Sequence, residues 1–290
     1  MAVLTAKGIS SLAIELLTRS IVLPRTISLI SGGEYSGPNG DTITVRVPQP
    51  GAGRTQTTRG ADVVFDDVVE IPVDVQLKHL YHAKLVSDEE MTLDIENFAS
   101  QITRTQVAAV AEAAEDQAAA VMNALVADDT VNPAAPDEAI LAAREWLGEN
   151  DAPAGDRYLA VSPAMASVLL QYDKFTKVNE AGSSDALRDA LLGRIFGFWV
   201  VESNALTSGT AVAYHRSGFA MANRTPVNLD SAKDSANATA QGIGLRQVFD
   251  FVPTKLSTAS IVSTFSGAAA VYDGDSGDES RRFFKLELGS

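Results

Sequence analysis

The chain has 290 residues, no cysteine, 46% hydrophobic and 21% charged residues, and a formal net charge of −14. That length allows about two domains of roughly 150 residues each and a sizeable core, while the missing cysteines exclude disulfides, thiol catalysis and Cys-ligated metal. The acidic balance argues against a dedicated nucleic-acid binder, which needs clustered Lys and Arg, and no apolar run approaches the roughly 18 residues of a membrane-spanning helix.

At the N-terminus a single early Lys7, with no apolar-then-cleavage pattern, gives no sign of a secretory signal, so an intracellular product is expected. Ile9, Leu12, Ile14, Leu16 and Leu17 recur at helical spacing over residues 5–23, and Pro24 ends the run. Residues 31–40 crowd turn formers into a loop. Ile43, Val45 and Val47 then alternate with Thr42, Thr44 and Arg46, and Val69, Ile71, Val73 and Val75 form a second alternating run. The spacing predicts one long hairpin whose tip carries Pro48, Pro50, Gly51, Gly53 and Gly60. Residues 49–60 hold no large apolar side chain, and a lone two-stranded ribbon is marginal in water. The hairpin is therefore expected to dock elsewhere, most economically on a neighbouring copy. Arg54 and Arg59 at the tip would suit an acidic surface there, and Arg46 on the strand is a further candidate contact; a mobile surface hairpin is the alternative.

Ser87 with Glu90 three residues on has capping-box spacing, and no Gly or Pro follows until Pro133. Ile95, Phe98, Ile102, Val107, Val110, Ala114, Val121 and Leu125 recur at three or four residues, predicting a helix over 95–127, on the order of 50 Å long. Its alanine-rich middle suits contact with a flat partner surface; a coiled coil is disfavoured by Ala and Gln in the seam. A second helix is predicted over 137–147, between Pro136 and Gly148. Residues 150–155 read as a domain boundary. Beyond it come a strand at 158–161, an N-cap at Ser162 followed by Pro163, a helix through Met165, Val168 and Leu169, and a helix over 187–192 capped by Ser184 and ended by Gly193. Strands are predicted at 211–214, 245–251, 261–272 and 282–288.

The search for chemistry is mostly negative. His79 and His82 lie three apart and could share a helical face for a metal, but Asp88, Glu89 and Glu90 are explained by a helix start. His215 has no locally spaced triad partner. Gly242-Ile243-Gly244 begins a dinucleotide fingerprint, but Gln247 stands in place of the third glycine and no helix pattern follows. Residues 273–279 look like a calcium loop without the sixth-position Gly or the twelfth-position Glu, so a solvated acidic turn is preferred. These leave two alternative classes, a metal-dependent enzyme using His79 and His82 and a calcium-binding surface module at 273–278.

Two adjacent stretches are the most distinctive: residues 193–204, Gly-Arg-Ile-Phe-Gly-Phe-Trp-Val-Val-Glu-Ser-Asn, read as one short apolar strand closed by a Ser-Asn turn, and residues 214–222, Tyr-His-Arg-Ser-Gly-Phe-Ala-Met-Ala. With the order arm, hairpin, alanine-rich helix and α/β region, they make the chain resemble the major capsid (coat) proteins of tailed bacteriophages with the HK97-like fold. The resemblance implies an α+β fold: an N-terminal arm (1–30), an extended hairpin or E-loop (31–76), a peripheral domain with a spine helix (77–149), an axial domain (150–255), and a return to the peripheral domain (256–290). Phe196, Phe198 and Val200 would then form one core face of the axial domain. It also implies a structural protein with no catalytic, cofactor or metal residues, which self-assembles into hexamers and pentamers of an icosahedral head enclosing double-stranded DNA without sequence-specific binding. The implied partners are a scaffolding protein, a portal and a decoration protein, with no membrane; the implied location is the virion, after assembly in the host cytoplasm. Some relatives crosslink through a Lys on the extended loop, but no Lys occurs between Lys7 and Lys78, so that chemistry is not expected from this loop.

Overall fold

Period-two runs of β-branched and small residues build two six-stranded sheets and a separate two-stranded ribbon. The computed structural model describes residues 22–31, 40–48, 53–60, 62, 63, 65, 67, 70–90, 102–172, 193–229, 232–240, 243–274 and 280–289. Residues 5–21 of the helix expected over 5–23, residues 32–39 of the turn-former loop, residues 49–52 of the hairpin tip, residues 95–101 of the long helix, the helix over 187–192 with its cap at Ser184, and residues 275–279 of the acidic turn lie outside these; Pro24 does not end a helix but stands in the first positions of a short turn. In chain order the elements begin with a single turn α1 (Leu23–Thr26), β1 (Ser28–Ser31), β2 (Thr42–Pro48), β3 (Glu70–Gln76), β4 (Lys78–Ser87) and α2 (Arg104–Asn123). Next come β5 (Asp129–Val131), α3 (Pro136–Glu149), β6 (Arg157–Val161), α4 (Pro163–Gln171), β7 (Arg194–Ile195) and β8 (Phe198–Glu202). The last six are β9 (Thr210–His215), β10 (Phe219–Arg224), β11 (Asp234–Ala240), β12 (Ile243–Val252), β13 (Ser257–Ala270) and β14 (Phe283–Leu288).

The first sheet is organised around β13, the longest strand. β12 pairs with its N-terminal half, from Val252↔Ser257 to Arg246↔Ser263, and β10 with its C-terminal half, from Arg224↔Phe265 to Phe219↔Ala270. β4 pairs along residues 257–266, and β1 and β11 extend the sheet beyond β10 and β12. Where β10 and β12 meet end to end, buried Asn223 bridges the break: its Oδ1 accepts Gly244 N at 2.8 Å and its Nδ2 donates to Thr264 Oγ1 at 3.0 Å. A Cβ on Gly244 would meet Thr225 Oγ1 at 1.8 Å, so Gly244 serves this junction, inside a strand; Gly242 lies outside the described residues.

The second sheet runs β5-β14-β9-β6-β8-β7. Its two faces follow side-chain alternation. Leu159, Val161, Ala211, Ala213 and Leu286 pack against α3 and α4, through Ile140, Leu147, Met165 and Leu169. Ala160, Val212 and Tyr214 face the other way, toward Ala118 and Met122 of α2. Pro136 opens α3 as expected from its fixed φ. Ser162 caps α4, accepting Met165 N at 3.5 Å, and the same Oγ accepts Gly209 N at 3.0 Å. Arg157 closes the 150–155 loop by donating to Pro153 O at 2.8 Å and Ala152 O at 2.5 Å.

α2 lies between the sheets. Its N-terminal half puts Val107, Val110 and Ala111 against Ile243, Leu245 and Val262 of the first sheet, and Ala114, Ala118, Ala119 and Met122 then join Phe219 and Met221 with the second. The alanine stripe assigned from sequence to a partner surface therefore packs inside the subunit: small side chains let one helix approach two sheets at once. Among the described residues the α-helix covers 20 residues, about 30 Å, and it stops at Asn123 instead of 127. Gln106 is buried but satisfied, donating to Ser260 O at 2.7 Å and accepting from Ser260 Oγ at 2.7 Å.

One further sequence reading changes. Residues 193–204 are not one strand: Phe196 (φ 46°) and Gly197 (φ 94°) make the tight turn of a β7–β8 hairpin, the positive-φ pair that two-residue hairpin turns require. Phe198 is fully buried, and Phe196 and Val200 are partly buried against the same cluster. β9 and β14 belong to the second sheet, while β10, β12 and β13 belong to the first. Among the described residues, no helix is long and apolar enough to cross a membrane.

Candidate interaction surfaces

Several of the residues singled out for chemistry have structural partners. His79 and His82 stand on strand β4, not on a helix; a spacing of three on a strand sends them to opposite faces. His79 stacks on Phe265 at 4.5 Å between ring centroids. Among the described residues no three metal-binding side chains gather. Ser87 and Glu90 form the capping box, with Ser87 N donating to Glu90 Oε2 at 2.9 Å and Glu90 N donating to Ser87 Oγ at 3.2 Å. Those hydrogen bonds hold the Glu90 carboxyl below its usual pKa. His215 Nδ1 is 2.7 Å from Ser217 Oγ, which also accepts Arg282 Nη1 at 2.7 Å; burial, with Arg282 adding to it, pushes the imidazole pKa down. Ser217 thus links a histidine and an arginine. Asp273 is buried, accepting Arg282 Nε at 2.5 Å and Arg281 N at 2.9 Å, so both its oxygens are engaged within the chain rather than presented to a calcium ion.

The ribbon β2–β3 has a root and a tip of different character. At the root Ile43, Val73 and Val75 are buried against Ala220, Ala222 and Val271, each contributing about 1.5–3 kcal/mol. Gly267 permits this approach, since a Cβ there would meet Gln76 O at 2.0 Å. The ribbon therefore docks first on its own sheet, on the face opposite α2, and not solely on a neighbour as its composition suggested. The signal was the run of small residues at 220, 222 and 267, too far along the chain to connect by pattern. Arg46 pairs with Glu70 across the strands at 3.3 Å, both on the surface. Every residue from 53 to 60 is exposed, including Arg54 and Arg59. Farther along, Val63 is 68% and Phe65 90% exposed.

A second surface was not foreseen. One side of α2, the end of β8 and Val22 enclose an open groove of about 350 Å³, lined by Glu112, Glu115, Asp116 and Glu202 above Ala108, Ala111 and Ala205. Glu115 is the structural member: it accepts the amides of Val22 at 3.0 Å and Leu23 at 3.1 Å and the Ser203 hydroxyl at 2.7 Å. That ties the first turn and the 203–206 turn to the helix. Glu112, Asp116 and Glu202 are exposed. The spacing 112, 115, 116 places three acids on one face of α2, a signal present in the sequence; Glu202 joins them only through the fold.

The end of α2 is fastened to the second sheet. Asn123 donates to Ala205 O at 3.1 Å and accepts Thr207 N at 2.9 Å. Lys285 Nζ, buried, donates to Asn123 O at 3.1 Å and Leu125 O at 2.8 Å, a cation on helix C-terminal carbonyls where the dipole favours it.

The sequence model of a family described as phage capsid protein matches residues 83–263. No curated protein matches the sequence significantly. Among solved structures, one from Mycobacterium phage Che8 is similar over 92% of this chain and 90% of its own, at 18% identity and a TM-score of 0.61. The head structure of Helicobacter pylori bacteriophage KHP40 is similar over 90% and 87%, at 11% identity and a TM-score of 0.64. A virus-like particle from Pyrococcus furiosus is similar over 96% and 97%, at 11% identity and a TM-score of 0.58.

Proposed function

Because the chain belongs to the phage capsid protein family, with the HK97-like fold and the structural role of a virion shell component, we propose that it assembles into hexamers and pentamers of an icosahedral head around double-stranded DNA. The observation that carries this reading is the ribbon: a root sealed on its own sheet, and a tip of exposed residues carrying two arginines beyond it. In this reading residues 31–76 are the extended loop, α2 is the spine, and Arg46, Arg54 and Arg59 face adjacent subunits. The net charge of −14 suits a wall enclosing a polyanion without adhering to it. With no Lys on the loop, particle stability rests on noncovalent contacts, with a decoration protein as reinforcement. A separate scaffolding protein and a portal complete the assembly, which takes place in the host cytoplasm.

Size-exclusion chromatography with negative-stain microscopy tests the proposal. Particles or capsomers of very high mass are expected. A strictly monomeric species under all assembly conditions, including in the presence of candidate scaffold, would overturn it.

A further inference from the structure

The corner between the two sheets is closed by a histidine acting as an acceptor. His215 ends β9, and its Nδ1 accepts the Ser217 amide at 3.3 Å, capping the three-residue turn Arg216–Gly218 that leads into β10. The same nitrogen lies 2.7 Å from Ser217 Oγ, and that oxygen accepts Arg282 Nη1 at 2.7 Å. A hydroxyl that accepts from a guanidinium keeps its own proton to donate, and Nδ1 is the acceptor in reach. Both contacts use the lone pair on Nδ1, which the neutral tautomer with its proton on Nε2 supplies. Around this pair, the Arg282 carbonyl accepts His215 N at 2.9 Å and Gly218 O accepts Val271 N at 2.9 Å. The turn thus ties together the ends of β9, β10, β13 and β14.

The charges about the ring decide what a proton meets there. Arg282 faces it from the start of β14, and Arg157, its cross-strand partner, from the start of β6; both disfavour the imidazolium, while Asp156 favours it. Asp273 lies behind Arg282, which it holds through Nε. On the turn itself Arg216 donates its Nε to Ile27 O at 3.4 Å, and β1 brings only the Ser28 hydroxyl, which donates to Arg216 O at 3.3 Å. We infer that His215 is a proton-operated latch on the corner between the sheets: the neutral ring holds the turn Arg216–Gly218 closed, and protonation at Nδ1 releases it. The imidazolium loses the acceptor that the Ser217 amide uses and sets a second cation beside Arg282. The bond from Val271 N to Gly218 O persists, so the corner loosens without coming apart. Burial, with Arg282 and Arg157 adding to it, places this release below the ordinary histidine range.

The test is made on the unassembled subunit, so it stands apart from the shell reading. The chain has three histidines, and His79→Gln with His82→Gln leaves His215 as the single imidazole. Nitrogen-15 NMR of that variant is expected to show the Nε2–H tautomer at neutral pH and a titration midpoint below 6.5. Amide hydrogen exchange of the parent chain, corrected for the intrinsic rate at each pH, reads the latch itself. Protection of Ser217 should drop about tenfold as pH falls through that midpoint, while Leu159 in β6 stays protected. In His215→Asn the side-chain oxygen takes the place of Nδ1 as cap acceptor and binds no proton in this range, so Ser217 should stay protected throughout. A proton on Nδ1 at neutral pH, or Ser217 protection that ignores pH in the parent, overturns the latch. So does an Asn variant that loosens in acid as the parent does, or loss of Leu159 protection together with that of Ser217, which marks unfolding of the whole subunit.

Discussion

Helix α2 and the ribbon β2–β3 press on the same sheet from opposite faces, yet they are held in different ways. α2 meets Met221, Ala268 and Ala270, while the ribbon meets Ala220, Ala222 and Ala269, the alternate residues of the same strands. The helix is fixed along its length: by Gln106 at its start, Glu115 in its middle, and Asn123 and Lys285 at its end. The ribbon is held at its root by apolar burial. Polar ties of defined direction locate an element in three dimensions; a hydrophobic root locates it in two and leaves the far end to be placed by what it meets.

The largest effect should come from the helix. Met122→Ala, at a fully buried position between the sheets, is expected to cost about 2–5 kcal/mol in denaturant unfolding of the subunit. Val75→Ala at the ribbon root should cost less, about 1–3 kcal/mol, but lower particle yield out of proportion to that loss; equal ranking of the two variants in both assays would erase the distinction. Lys285→Met removes the cation from the carbonyls ending α2 and should cost about 1–3 kcal/mol, read as earlier thermal unfolding. His215 has its pKa below the ordinary value of 6.5 because of burial. A neutral form favoured by folding gives stability that is complete above the unfolded-state value and declines as pH drops toward the folded-state value. Stability measured from pH 7 downward should therefore fall less steeply in His215→Gln than in the parent. Smallest of all is Arg46→Ala, worth about 0–1 kcal/mol because both partners of its ion pair are on the surface.

Strands, caps and helix starts were readable in the sequence because their signals are local. Alternation at 42–48, the capping box at Ser87 and Glu90, and Ser162-Pro163 at the head of α4 each act within a few residues. The break in residues 193–204 was not readable, because it turns on Phe196 at positive φ, a conformation that phenylalanine does not advertise. The alanines of α2 were assigned to a partner because a stripe of small side chains has the same pattern against a neighbour as against its own sheets. His79 and His82 changed meaning once their element proved to be a strand. The acidic groove was half visible: Glu112, Glu115 and Asp116 share a helix face by spacing, but Val22 and Glu202 reach them only through tertiary folding.

The passage from β9 to β10 takes three residues, Arg216–Gly218, and carries the chain from one sheet to the other. At that corner a Cβ on Gly218 would lie 2.8 Å from Arg282 O, so there is neither slack nor spare room. Two plates joined in this way have a welded corner, not a hinge. A load on one plate passes directly into the other through β9 and β10, and in parallel through the lysine that grips the end of α2. What displaces one plate is therefore felt at once by the other, and by the ribbon seated on its face.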